Sequence, residues 1–144
     1  MNEIVKKEVE ELIKKLELNC SIKEFRDKVD WYYISWKQKL SKHFIREFKD
    51  KVNWDYISSY QKLSEHFIRE FKDLVDWRNI SHHQELSEQF IREFKDKLNI
   101  DTLVERKLIT KDRLKELDKE KHRYICSLLT GSNREYRFKL MDLE

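Results

Sequence analysis

A 23-residue repeat occupies most of this sequence and narrows the range of folds that the chain can adopt. The segment DWYYISWKQKLSKHFIREFKDKV at residues 30–52 recurs as NWDYISSYQKLSEHFIREFKDLV at 53–75 and as DWRNISHHQELSEQFIREFKDKL at 76–98. A diverged copy follows at 99–121, and residues 22–29 match the end of an incomplete copy. We name the complete copies the first to the fourth unit. Because a unit this small cannot bury its own apolar face, such an array is stabilised by stacking neighbouring units.

Residues that form tight turns are almost absent, since the 144-residue chain has one Gly and no Pro. β-Sandwiches, barrels and hairpins depend on such residues for their chain reversals. We therefore predict an all-α fold, and the length suits a single domain over residues 1–144. Hydrophobic residues make up 39% of the chain, which is enough to form a core although 41% of the residues are charged.

Capping residues divide each unit into two helices. The N-cap positions are Asp30, Asn53, Asp76 and Asn99 for the first helix and Ser41, Ser64, Ser87 and Thr110 for the second. An aliphatic residue precedes each second cap and another follows it four positions later, as in a hydrophobic staple. Only about two turns fit into the first helix, so we predict that it is the shorter one and of either 3₁₀ or α type.

Apolar residues at helical spacing predict the buried face of each unit. In the first unit Phe44, Ile45, Phe48 and Val52 lie on one stripe of the second helix. The first helix buries the Trp that follows its N-cap and the aliphatic residue three positions later. We expect Trp54 in particular to be buried between neighbouring units.

Amphipathic segments flank the repeats and predict capping helices. Residues 1–21 form an N-terminal capping helix, and a C-terminal one covers about 111–130, ending before the only glycine, Gly131. The tail at 131–144 alternates apolar and polar residues, for example at Tyr136, and is expected to dock in an extended form. The predicted architecture is an all-α solenoid of short-helix/long-helix units with N- and C-terminal capping helices.

The consensus D/N-W-x-x-I-S-x-x-Q-x-L-S-x-x-F-I-R-E-F-K-D-x-V covers residues 22–121. It resembles short helical repeats of giant-virus and phage proteins from AT-rich genomes. In its length and its pairing of a short with a longer helix, the unit also resembles the leucine-rich-repeat-variant solenoids, although it lacks their leucine-rich pattern. The first resemblance implies a viral or phage origin and the host cytoplasm as location; neither implies a defined activity.

Two pairs of positions differ between units whose framework is otherwise shared. They are Tyr32–Tyr33, Asp55–Tyr56 and Arg78–Asn79 after the Trp, and Trp36–Lys37, Ser59–Tyr60 and His82–His83 after Ile-Ser. In a solenoid, equivalent positions stack into rows, so these pairs should form a ladder along the first helices. Tyr, Trp and Arg are enriched at binding hot spots. The candidate protein-binding residues are Tyr32, Trp36, Lys37, Asp55, Tyr60, Arg78, His82 and His83. Drift at solvated positions is the competing interpretation, with Tyr33 and Tyr56 at the edge of the core.

Several chemistries are excluded or disfavoured. Dinucleotide fingerprints, P-loops and G-x-S-x-G elbows need more than one glycine. His122 and Cys126 are spaced as a ligand pair, but structural zinc takes four such ligands, so neither a metal nor a cofactor is predicted. Because no carboxylate pair stands out, we predict that the chain is not an enzyme. No apolar stretch is long enough to span a membrane, and a soluble, cytoplasmic protein is expected.

Charge is nearly balanced, with 31 basic and 28 acidic residues. The first unit has six basic and three acidic residues, whereas the second and third each have one more acidic than basic residue. No continuous basic row results, and the R-E-F-K-D strings are interpreted as a solvated face. The leading hypothesis is a non-catalytic module that docks on another protein and occludes it, for example a host defence factor. Single-stranded nucleic-acid binding through Tyr32, Trp36 and Lys37 is the alternative, in which Tyr60 could also stack on a base. A self-associating spacer is a third.

Overall fold

The computed structural model describes residues 1–130, and over that range it consists of ten α-helices and no strand. The helices are α1 Glu3–Lys15, α2 Ile22–Lys28, α3 Trp31–Lys37, α4 Lys42–Glu47, α5 Trp54–Tyr60, α6 Glu65–Glu70, α7 Trp77–His83, α8 Glu88–Glu93, α9 Ile100–Glu105 and α10 Lys111–Thr130. The all-α prediction is therefore confirmed for the described residues. Gly131 and the tail at 131–144 lie outside them, as does the predicted extended conformation.

The predicted lengths of the two helices in a unit are wrong. The first helix of the second unit, α5, has seven residues and its second helix, α6, has six. The first helix is α rather than 3₁₀, since Gln61 N donates to Ile57 O in an i to i−4 bond. Helix α6 ends at its C-cap Phe71, and a turn follows in which Val75 N donates to Phe71 O. Because apolar residues continue through this turn at helical spacing, the sequence pattern extends the helix too far.

The predicted capping residues occupy the N-cap positions of the helices. In the second unit Asn53 Oδ1 accepts a hydrogen bond from Tyr56 N at 3.0 Å, and Ser64 Oγ accepts one from Phe67 N at 3.3 Å. Each bond satisfies one of the amides that a helix start leaves without a partner. These short helices thus begin where local side chains dictate, and packing supplies the rest of their stability.

A row of aromatic and aliphatic side chains forms the core. Its most buried Phe, Ile and Leu side chains are Phe25, Phe44, Phe67 and Phe90 with Ile34, Ile45, Ile57, Ile68, Ile80, Ile91 and Leu103, none more than 1% exposed. Contrary to the prediction, Trp54 is only partly buried. Its Nε1 donates to Lys49 O at 2.8 Å, and its ring centroid lies 5.1 Å from that of Phe71. The indole N–H therefore caps the turn that ends the preceding unit, and this carbonyl lies too near the surface for full burial.

A buried glutamine joins the second unit to the first and the third unit to the second. Gln61 Nε2 donates to Ser35 O at 3.1 Å and to Gln38 O at 2.8 Å, while Gln61 Oε1 accepts from Leu40 N at 3.1 Å. Gln84 makes the same three bonds one unit later. This glutamine clamp satisfies backbone groups that lie at the end of a first helix, so the framework retains Gln at this position.

The clamp changes at the fourth unit, where position 107 is a lysine. Arg106 Nη1 takes its place and donates to Ser81 O at 2.7 Å and to Gln84 O at 2.9 Å. The guanidinium thus keeps the two carbonyls satisfied at the last junction between units.

A buried serine makes the second repeated junction. Ser58 Oγ accepts a hydrogen bond from Asp76 N at 3.0 Å. In the same way, Ser35 accepts from Asn53 N and Ser81 accepts from Asn99 N. The fourth unit has Val104 at this position. No further unit follows that would need the acceptor, so the apolar residue there leaves no amide without a partner.

Helices α1 and α10 flank the repeats in the chain. Helix α1 contacts α2 and α4, and Glu8 accepts from the N-cap amide of Ser41 at 2.8 Å. Helix α10 lies at the residues where a helix is predicted, and it buries Leu114 and Leu117. Beyond these residues its described side chains are mostly exposed, including Tyr124 at 65%.

The capping box of α2 predicts an unusually acidic carboxyl group. Hydrogen bonds from Ser21 N and from Lys28 lower the pKa of Glu24 from 4.5 to about 2. Because folding lowers the pKa, the ionised Glu24 carboxylate stabilises the folded chain. This stabilisation is complete above the ordinary pKa and is lost as the pH falls toward 2. A ¹³C NMR titration of the Glu24 carboxyl should show this midpoint.

A Lys28→Ala variant supplies the control for that titration. The ion pair between Lys28 Nζ and Glu24 at 3.0 Å is lost, whereas the backbone bond at 2.9 Å stays. The pKa of Glu24 should therefore rise only part of the way to 4.5. A titration at the ordinary value in the unmodified chain would contradict the capping geometry.

Candidate protein-binding surface

Four aromatic side chains from α3 and α5 meet at the surface, and we call them the aromatic patch: Tyr32, Trp36, Tyr56 and Tyr60. The ring centroids of Tyr32 and Tyr56 are 5.8 Å apart, and those of Tyr56 and Tyr60 are 5.9 Å apart. Trp36 lies 6.4 Å from Tyr56 and 6.3 Å from Tyr60. These separations fall in the range of attractive aromatic pairs, so the rings support one another.

The framework explains why these residues face outward together. Ile34 and Ser35 of α3 are fully buried, as are Ile57 and Ser58 of α5, which turns the opposite side of each helix to solvent. The glutamine clamp holds the two helices side by side. In this arrangement the third and seventh residues of one unit face the fourth and eighth of the next.

The third unit shows the same offset with polar residues. Asn79 Nδ2 donates to Asp55 O at 3.3 Å, which joins the fourth residue of the third unit to the third residue of the second. The aromatic contacts of the patch are therefore one instance of a geometry that the junctions repeat.

The patch presents more apolar surface than an ordinary solvated face. Tyr32 is 64% exposed, Tyr60 58% and Trp36 44%, and neighbouring Tyr33 is 42% exposed. The other large exposed apolar residues of the described chain lie elsewhere: Met1, Ile4, Leu74 and Tyr124. Single exposed apolar residues are common on proteins, whereas a contiguous group is typical of an interaction site.

The structure brings together part of the predicted ladder. Tyr32, Trp36, Lys37 and Tyr60 join in or around the patch, and Asp55 lies beside it with an exposed side chain. Tyr56, which was not among the candidate site residues, contacts three of the rings. The sequence did point to Tyr56, because it belongs to a pair of residues that differs between units. Its ring contacts could not be predicted from the sequence, which indicated only a position at the edge of the core.

The candidates in the third unit form a different, polar surface. Arg78, His82 and His83 are exposed on α7, and the two imidazole rings are 6.1 Å apart. No ring contact joins them to the patch within the described residues. The predicted ladder thus divides into aromatic residues on the first two units and polar residues on the third.

A lysine lies against the largest ring of the patch. Lys37 Nζ is 3.8 Å from the centroid of the Trp36 ring, which is a cation–π contact. The contact holds the ammonium beside the patch, and both side chains remain exposed.

The second helices carry a charged face whose residues pair across units. Arg46 makes a bidentate contact with Glu70, at 2.8 Å from Nε and 2.7 Å from Nη2, and Arg69 pairs with Glu93 at 2.8 Å. The hydrogen bond from Arg46 lowers the pKa of Glu70. The repeated R-E pair thus links neighbouring units.

Other potential sites offer less. The described residues contain no group of three or more His, Cys, Asp or Glu side chains that could hold a metal ion. Cys126 Sγ lies 3.6 Å from His122 Nε2 on exposed α10. A depression of about 650 Å³ between α8 and α10 is lined by charged residues with Gln89 and Tyr124. Over the same part of the chain, no helix is both long and apolar enough to cross a membrane.

Comparisons with known proteins do not identify the chain. No protein-family model, no curated protein and no solved structure matches it. The resemblance to viral and phage repeats therefore stays a prediction, and the functional proposal depends on the surface of the chain itself.

Proposed function

We propose that this chain is a non-catalytic protein-binding module. Its four units stack as a helical solenoid, and the aromatic patch on the first two units docks on another protein and occludes part of it. The observation that carries the proposal is the contiguous exposure of Tyr32, Trp36 and Tyr60 around Tyr56. Occlusion of a host factor is a narrower form of the proposal, which the viral resemblance suggests.

The physical chemistry of the patch supports this function. Tyr and Trp supply much contact area with few rotatable bonds, so binding costs them little conformational entropy. The rings also contact each other, and buried bonds from Gln61 and to Ser35 fix the helices beneath them. A preorganised apolar centre with polar surroundings is the usual form of a hot spot.

The stacking of units is supported by the junctions. Helix α5 contacts both α3 and α7, and α7 contacts α9. The serine bond recurs at each of these junctions with an 18-residue separation. Identical links between successive repeats are what a solenoid requires.

Partner capture should depend on the patch. A Trp36→Ala/Tyr60→Ala double variant is expected to lose at least about tenfold in affinity for a partner captured from the native host, because hot-spot truncations commonly cost that much. Circular dichroism should show unchanged helicity, since both side chains are exposed. The measurement is quantitative affinity capture followed by mass spectrometry.

Tyr124→Ala is the matched control, because it removes an exposed tyrosine far along α10. It should leave capture unchanged. Equal capture by the double variant and the unmodified chain would refute the patch as the binding surface.

Single-stranded nucleic acid is the alternative ligand, and the Lys37–Trp36 contact is the observation in its favour. Filter binding of single-stranded RNA and DNA over a salt series tests it, because phosphate contacts give a steep salt dependence. Absence of binding at low salt would exclude this alternative, and the molar mass in solution tests self-association.

A further inference from the structure

We propose that the aromatic patch binds a peptide segment of the partner that carries a bulky apolar residue next to acidic residues. The inference rests on the proposed protein-binding function and specifies the chemistry of the partner. It is based on three lysines at or just after the ends of the two helices that carry the patch, which we call the lysine rim: Lys37, Lys39 and Lys62.

The glutamine clamp determines where the rim lies. Gln61 Nε2 is 2.8 Å from Gln38 O, and Gln61 Oε1 is 3.1 Å from Leu40 N. Lys39 lies between the two bonded residues of the first unit, and Lys62 follows Gln61. The two lysines therefore lie two residues beyond the ends of α3 and α5, and Lys37 is the last residue of α3.

Within residues 1–130, the rim lysines make no ion pair. Its three lysines are exposed, and none has a carboxylate within 4.0 Å among the described residues. On the opposite helices, by contrast, Arg46 and Arg69 each bind a glutamate of the next unit. Lys39 also borders a depression that Glu8 and Glu11 of α1 line, beyond ion-pair distance. The rim lysines thus have no ion pair within the described chain that a partner would have to break.

The rim ends where the aromatic patch ends. The third unit has Glu85 at the position of Lys39 and Lys62, and Arg106 lies 3.9 Å from it. The same unit has His82 and His83 where the first unit has Trp36 and Lys37 and the second has Ser59 and Tyr60. An exposed Trp or Tyr on the first helix and a lysine after the clamp glutamine therefore occur together on two units, and the third unit has neither.

The other end of the patch has the opposite charge. Asp30 caps the start of α3 and Asp55 lies in the first turn of α5, and both are exposed. A nucleic acid carries a negative charge at every nucleotide and would meet these carboxylates. A peptide can place its acidic residues at the rim and neutral or basic ones at the opposite end, so the charge pattern favours a peptide.

The patch and the rim would make two kinds of contact with such a peptide. An apolar side chain of the peptide packs on the rings of Trp36 and Tyr60, and adjacent carboxylates accept hydrogen bonds from the ammonium groups of the rim. Charge-assisted bonds of this type are stronger than neutral ones and fix the direction of the segment.

Selection from a phage-displayed library of random 12-residue peptides on the immobilised full chain tests the inference. Enriched peptides should combine aromatic or aliphatic residues with Asp or Glu. For a selected peptide, the Lys37→Glu/Lys39→Glu/Lys62→Glu variant should weaken binding at least about tenfold, because like charges then face each other. The variant itself should select basic peptides.

The control variant, Lys51→Glu/Lys72→Glu/Lys119→Glu, has the same net charge, and its substitutions lie at exposed positions away from the rim. It should bind the selected peptide like the unmodified chain. Binding that requires Trp36 and Tyr60 but shows no acidic preference would overturn the inference and leave the proposed function standing. Enrichment that is independent of the two aromatic residues would overturn both. Tighter, rim-dependent binding of a 12-nucleotide oligothymidine than of any selected peptide would overturn the inference in favour of nucleic acid.

Discussion

Replacing Phe67 by Ala is expected to destabilise the chain by about 3–5 kcal/mol, the usual cost of a large-to-small change in a core. The ring is 0% exposed and packs on Phe71, with centroids 4.7 Å apart, and on Trp54 at 6.5 Å. Arg46 of the preceding unit lies over the ring, 5.3 Å from its centroid, so the cavity borders two units. A loss of this size is a large fraction of the stability of a small domain.

Urea unfolding followed by circular dichroism at 222 nm measures the loss. Leu74→Ala is the matched control, because Leu74 is 45% exposed in the turn after α6, and it should change stability by less than about 0.5 kcal/mol. The loss of unfolding free energy for Trp54→Ala should lie between those of Phe67→Ala and Leu74→Ala, since Trp54 is only partly buried. If the Phe67→Ala variant is unfolded, the Phe67→Leu variant replaces it. Its loss of unfolding free energy should be smaller than that expected for Phe67→Ala but still larger than that of Leu74→Ala. A loss near zero for Phe67→Ala would contradict the assigned core.

Replacing Gln61 by Glu is the second substitution with a large expected effect, about 3–5 kcal/mol at pH 7. The change keeps the acceptor for Leu40 N but removes the donor to Ser35 O and Gln38 O. It also places a carboxylate against two carbonyl oxygens in a site that is 7% exposed. The two carbonyls lose their partner while an unpaired charge is buried.

The pH dependence of this variant identifies the cause. Burial and the facing carbonyls raise the pKa of the carboxyl introduced at position 61 above the unfolded value of about 4.3. Because the pKa is raised by folding, the destabilisation is complete above the folded pKa and shrinks as the pH falls below it. The difference in unfolding free energy between variant and unmodified chain should therefore narrow between pH 7 and 4. Gln89→Glu, at an exposed position of α8, should show no such change. A Gln61→Glu chain as stable as the unmodified one at pH 7 would refute the glutamine clamp.

Much of the fold can be predicted from the sequence, because local chemistry fixes where the helices begin. Asn53 and Ser64 cap helices within three residues of themselves, so their effect is visible in a single unit. The length of α6 was harder to predict. Its stop at Phe71 reflects packing of the following turn, and the apolar spacing alone does not distinguish that turn from a helix.

Contacts between units are less visible in the sequence than the helices are. The repeat shows that Gln61 belongs to the framework, but only the structure shows that its amide binds residues 21 to 26 positions earlier. Arg106 could not be assigned to the same role, because it lies one position away from the glutamine in the alignment of units.

The candidate site was predicted in part for the same reason. Variation between units pointed to Trp36 and Tyr60. It did not show the offset by which the third and seventh residues of one unit face the fourth and eighth residues of the next. With that offset, Tyr56 lies between them and becomes part of the surface, whereas His82 and His83 lie outside it. Side-chain exposure and ring contacts depend on how the helices pack, so they cannot be obtained from the variable positions of the sequence alone.

The indole N–H signals of the four tryptophans provide the most direct test of the claim that the aromatic patch is the binding surface. Trp31, Trp54 and Trp77 donate their Nε1–H groups to backbone carbonyls, at 3.0, 2.8 and 2.9 Å, whereas Trp36 is 44% exposed in the patch. A ¹H–¹⁵N NMR titration of the full chain with its captured partner, with Trp36 assigned from a Trp36→Phe variant, should shift or broaden the Trp36 signal and leave the other three in place. A saturated complex in which the Trp36 signal is unchanged would contradict the account.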